Sequence, residues 1–201
     1  MDKKKNLIIY GISILFSITL LLMIFNTLRR QAYYELFWYC YPALFLIIVG
    51  LFRKKSNLIL SQLIIIAIPD LFYIFDVIYF AFTGNLLLGI AKNFVYVGFF
   101  EKITSSQHFY ILPLSLLALS LIKIKKNYKI LLISLTEIIL IFLVTLLIVP
   151  SLSMVNCVHS RCVIPLLGFL PYYFEWFILI FGFALISYLL INLLIKNSYK
   201  S

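Results

Sequence analysis

Charge is what this sequence has least of. Asp and Glu together number 7 among 201 residues, and charged residues of both signs make up 12%, where a soluble domain carries about 25%. Hydrophobic residues make up 64%, and the mean hydropathy is +1.11. No soluble fold of this length has the polar surface to cover so much apolar material, so lipid has to be part of the solvent. Polar stretches are short as well. None is long enough for a folded soluble domain, and the chain reads as one polytopic domain over 1–201. A Walker loop, a dinucleotide fingerprint, HExxH and GxSxG are all missing, which removes the common nucleotide, zinc-protease and serine-hydrolase signatures. No small-x-small cleavage site ends the first apolar run, so MDKKKNLIIYGISILF reads as a retained helix and not as a signal peptide. No internal repeat is visible.

What is present is a series of apolar runs, at 7–26, 36–52, 58–80, 103–122, 130–149 and 172–195. A bilayer core takes about 20 helical residues, and most of these runs supply them. They are continuous and do not alternate in polarity, so they predict helices and not barrel strands. The expected fold is an all-α membrane protein, a bundle of six transmembrane helices with both termini cytoplasmic, multi-pass in the cell membrane. Residues 86–100, LLLGIAKNFVYVGFF, offer a seventh span as the alternative, interrupted by Lys92 and Asn93. The basic residues arbitrate. With six spans, 12 of the 17 Lys and Arg face the cytoplasm and 5 face out; with seven the split is 8 against 8 and Lys92 lies in the membrane. The positive-inside rule favours six. Arg29 and Arg30, outside in this arrangement, run against it. The net charge of +10 falls in short clusters that face anionic headgroups. No basic patch is long enough to form a groove, which excludes nucleic acid and leaves membrane lipids as the expected partners. Tyr33, Tyr34, Trp38, Tyr39 and Tyr41, with Tyr172, Tyr173 and Trp176, form a belt at the outer interface.

Chemistry has few carriers here. Asp70, Asp76, Glu137 and Glu175 lie inside apolar runs, where a carboxylate is costly unless it is paired, protonated or beside water. Asp70 follows Pro69, whose missing N–H frees a backbone carbonyl one turn back, and a structural role in that broken turn is its plain reading. Glu137 reads as an interhelical hydrogen-bonding residue. His108 and His159 are both expected outside. His108 is the candidate general base, with Asp76 as its orienting carboxylate, and Ser105 and Ser106 are the weak nucleophile candidates. Glu35, Trp38, Asn156, His159, Arg161 and Glu175 are expected to join them at the outer leaflet, lining a polar cavity that opens outward between aromatic residues. Cys157 and Cys162 flank His159. A short disulfide, two free thiols, and a zinc site completed by His159 and His108 are the alternatives. The spacing matches no standard zinc pattern, so neither a metal nor a cofactor is expected. Cys40 reads as a small apolar packing residue.

The order of these features, Trp38-x-Cys40, Pro69 with Asp76, Gly84, His108-x4-Pro113, then Pro150 and Asn156, resembles an uncharacterised prokaryotic family of small polytopic membrane proteins, similar to the YwaF-type integral membrane proteins. The resemblance covers residues 36–160. More distant groups that it resembles, the transmembrane protein 164-like and androgen-induced proteins, include lipid acyl-transfer or hydrolysis activities, which implies a lipid-facing site near His108. The leading expectation is therefore a membrane protein that handles a lipid or small amphiphile. A substrate-binding or transport component of a membrane transporter is the second reading. A structural or assembly factor with no small-molecule site is the third.

Overall fold

A computed structural model describes residues 3–122, 124, 129–151, 155–159 and 171–195. It is helical, with no strand among the described residues. The helices are α1 (Lys3–Arg29), α2 (Cys40–Phe52), α3 (Ser56–Thr83), α4 (Lys92–Val95), α5 (Phe99–Ser105), α6 (Gln107–Leu121), α7 (Lys129–Ile148) and α8 (Tyr172–Ile195). Short 3-10 turns cover Tyr33–Phe37 and Val155–Cys157. Four helices, α1, α3, α7 and α8, are long and apolar enough to cross a membrane, and α2 is a shorter apolar helix. Large side chains stand bare along their outer faces: Leu7 is 74% exposed and Leu147 82%. Water would penalise such surfaces and hydrocarbon does not.

Helix α3 is the centre of the bundle. It packs against α2, α6, α7 and α8, and Ile59, Leu63 and Ile64 are buried within the core. Its C-terminus is closed by Gly84 at φ 72°, whose N–H bonds to the Phe80 carbonyl at 2.8 Å, the left-handed cap that glycine adopts without a Cβ clash. The α2–α3 hairpin is tight for a different reason. A Cβ on Gly50 would meet the Ile59 side chain at 2.8 Å and the Ile59 amide nitrogen at 3.3 Å, so the two backbones approach as closely as they do because that side chain is missing.

Several expected boundaries shift. The run at 36–52 becomes helical only from Cys40, and its aromatic prefix forms the 3-10 turn instead. The run at 103–122 is two helices, α5 and α6, meeting at Ser106 and beginning at Phe99. Residues 86–100 hold no helix longer than the four residues of α4, about 6 Å at 1.5 Å per residue, so this segment does not cross as a single helix. The two arginines that ran against the charge bias are each neutralised. Arg29 pairs with Glu101 and lies over the Phe100 ring at 5.4 Å, and Arg30 pairs with Glu35.

Replacing Gly50 with valine forces the hairpin apart. Overpacking of this kind costs about 1–3 kcal/mol, and a lower thermal midpoint of the purified protein in detergent is the expected reading. An unchanged midpoint would show that the close approach carries no stability.

Candidate functional site

A short polar contact between helices joins α3 to α6. His108 Nδ1 lies 2.7 Å from Asp70 Oδ1, with the two side chains 20% and 5% exposed. Asp70 sits one residue past Pro69, inside α3. Its plain reading was a patch for the broken turn, but the carboxylate turns instead to the next helix. His108 lies in the first turn of α6, and the Tyr73 ring covers it at a centroid distance of 4.3 Å. Phe94 of α4 and Phe109 extend that aromatic shell around Tyr73. A carboxylate on Nδ1 fixes the tautomer and the ring orientation, and it leaves Nε2 as the nitrogen available for proton transfer.

Two more groups border this pair. Gln107 is buried, its Oε1 atom lacks a hydrogen-bond partner, and the Cys40 thiol stands beside its side chain. Asp70 is within electrostatic range of both Cys40 and Tyr73, and its second oxygen, Oδ2, is buried without a partner. Cys40 opens α2 and is a free thiol. Three helices thus bring a thiol, a carboxylate, an imidazole and an amide to one place. Ser105 approaches Tyr73. Ser106 donates to the Ile103 carbonyl at 2.6 Å and is half-buried.

The pairing expected between His108 and Asp76 does not form. Asp76 is fully buried and accepts three backbone N–H bonds, from Leu88 at 2.8 Å, Ile90 at 2.8 Å and Ala91 at 3.0 Å. It holds the loop between α3 and α4, the same segment that offered a seventh span. The physical reason is depth. Because α5 begins at Phe99, His108 sits nine residues into the α5–α6 pair, further from the start of that pair than a run starting at 103 would place it, and there it meets Asp70.

The residues expected to line a polar cavity have other partners. Glu35 is held by Arg30. Trp38, half-buried, closes the first 3-10 turn, its N–H on the Glu35 carbonyl at 3.0 Å. Asn156 is buried at φ 51° and is a structural hub. Its Oδ1 accepts from the Tyr39 N–H at 3.0 Å, its Nδ2 donates to the Phe37 carbonyl at 2.7 Å and to Thr145 Oγ1 at 3.3 Å, and its carbonyl accepts from Trp176 Nε1 at 2.9 Å. Glu175 is buried in the first turn of α8, where a helix N-terminus favours negative charge. His159 is half-buried in a bend, with Nε2 unpartnered. Cys157 is disulfide-bonded; Cys162 and Arg161 lie outside the described residues. An apolar groove of about 430 Å³ lies between α1, α2 and α7, lined by Leu20, Ile24, Phe37, Tyr41, Phe45, Leu140 and Val144 among others.

The Asp76 anchor makes a checkable claim. Alanine there orphans three amides, each worth about 1–3 kcal/mol when buried. The expected result is faster amide hydrogen exchange across residues 86–95, with the His108–Asp70 pair still formed. Unchanged exchange would mean that the loop is held by something else.

Comparison of the chain with protein-family models, with curated proteins and with solved structures returns no match.

Proposed function

We propose that this protein is a membrane-embedded enzyme of lipid acyl chemistry, using Cys40 as nucleophile, His108 as base and Asp70 to orient the imidazole. The observation that carries the reading is the part-buried 2.7 Å contact between His108 and Asp70, with the free thiol of Cys40 beside Gln107, the residue before His108, and within electrostatic range of Asp70. A carboxylate–imidazole pair next to a thiol is the arrangement that activates a cysteine. In this reading His108 Nε2 takes the thiol proton and the thiolate adds to the ester carbonyl of a lipid. Collapse expels the lipid alkoxide, which recovers the proton from the imidazolium and leaves a thioester on Cys40. Water or a second alcohol, deprotonated by the same Nε2, then releases the acyl group and regenerates the thiol. The apolar groove includes Tyr41 and Pro42, the two residues after Cys40, and offers an acyl chain a berth within the same stretch of α2.

Intact-mass analysis of protein incubated with phospholipid vesicles tests the chemistry. A single acyl adduct mapped to Cys40 is expected, absent in Cys40→Ser. Alkylation of Cys40 should slow about 10²-fold or more in His108→Ala, the usual scale of a lost general base. An unmodified protein with lipid left intact would refute the reading.

The same proposal includes six spans, with both termini on the cytoplasmic face of the cell membrane. Its support is the alternation of chain ends. Lys54 donates to Asn6 Oδ1 at 2.8 Å at one end of α1, while Asn26 donates to Thr104 Oγ1 at 3.2 Å and Thr27 meets the Tyr41 hydroxyl at the other. In a cysteine-free variant, Asn85→Cys should react with an impermeant thiol reagent in intact cells, and Lys55→Cys should not. The reverse pattern would invert the topology.

A further inference from the structure

A second intramembrane carboxyl lies outside this centre. Glu137 is on the third turn of α7 and is half-buried. Its Oε2 accepts a hydrogen bond of 2.8 Å from Gln62 Nε2 of α3. Gln62 is fully buried, its other N–H contact is Ser61 Oγ at 3.1 Å, and its Oε1 has no partner. One turn earlier on α7, Ser134 donates to the Ser61 carbonyl at 2.9 Å, which seals the α3–α7 seam. The polar contacts at Glu137 are therefore neutral. Ion pairs among the described residues join Arg29 to Glu101, Arg30 to Glu35 and His108 to Asp70, and none involves Glu137.

The groups facing it from each packed element can be named. From α3 come Gln62 and Ser61, neither of them titratable. From the start of α2 comes the Tyr39 phenol, whose hydroxyl reaches the Ile138 carbonyl at 3.5 Å and which lies within electrostatic range of Glu137. From α8, the other helix against α7, the described acid is Glu175 in the first turn; Phe142, between Glu137 and that end of α7, packs against Tyr173, Trp176 and Phe177. A carboxylate with one amide donor, a phenol and hydrocarbon around it has no counter-charge, whereas the neutral acid needs none.

We propose that Glu137 is a proton-binding site within the membrane, held as the neutral acid by the hydrocarbon around it, anchored to α3 through Gln62, and able to release and take up a proton. The proposal is independent of the acyl chemistry at Cys40 and uses none of its residues. Its ligand is the proton and not a metal ion, because among the described residues no group of three or more His, Cys, Asp or Glu side chains gathers there to hold one.

Infrared difference spectra of the wild type against Glu137→Gln, in lipid nanodiscs at neutral pH, test it directly. The expected difference is the loss of one protonated-carboxyl C=O band, which in the wild type fades reversibly as pH rises. Loss of a carboxylate band instead would overturn the proposal. A lipid-soluble carbodiimide gives a second readout on the wild-type chain. It should form an adduct at Glu137, at a rate falling about tenfold per pH unit once the acid begins to ionise, and sodium should have no effect. Protection by sodium at fixed pH would overturn the proton assignment in favour of a cation site.

Discussion

In the interior of a bilayer a polar side chain has no water to turn to, so it must be answered by another part of the chain. Helix α3 places three such side chains along its length, and each is answered by a different element. Gln62 meets α7 through Glu137, Asp70 meets α6 through His108, and Asp76 meets the backbone of the loop that leads into α4. The apolar core gives α3 its central position, but hydrocarbon packs against hydrocarbon without much preference, inside a protein or in lipid. The three polar contacts supply what apolar packing lacks, which is register. They fix how far α7 and α6 slide along α3, and so they set the depth at which each functional group lies.

The two ends of the bundle are built differently. At the end carrying Arg29 and Arg30, both arginines are paired and the chain is laced together. The acids Glu35 and Glu101 answer the two arginines, and Asn156 joins the start of α2 to α7 and α8. At the other end Lys54 donates to Asn6 and lies over the Tyr10 ring at 5.5 Å.

The helices were legible because a continuous apolar run has few other uses. The 3-10 turn at Tyr33–Phe37 and the start of α5 were not, since mixed aromatic and polar residues fit an interface in many backbone forms. Among the candidate residues, His108 stood out by type alone. Its partner did not. Asp70 and Asp76 are both carboxylates in the same apolar run, and choosing between them requires knowing that Leu88, Ile90 and Ala91 fold back onto Asp76. No local pattern encodes that return. Cys40 was passed over as a packing residue because its chemical neighbours, Gln107 and Asp70, are distant in sequence. Counting helical residues from the Phe99 start would have set His108 at greater depth, but the start itself is visible only in the folded chain.

The Asn156 hub has a consequence for how the chain is made. The Tyr39 N–H and Phe37 carbonyl that it binds are synthesised 117 and 119 residues earlier. During insertion, the first hairpin enters the bilayer with those two groups unanswered, and they have to rest in the headgroup layer, where water serves. When α7 has crossed and Asn156 arrives in its left-handed turn, the late segment closes over the early one. The contact at the entrance to α2 therefore forms only after α7 has been made, α8 adds to it later through Trp176, and the residue that opens α2 is Cys40. A nascent chain released before residue 156 would carry the helix and the thiol without the clasp above them.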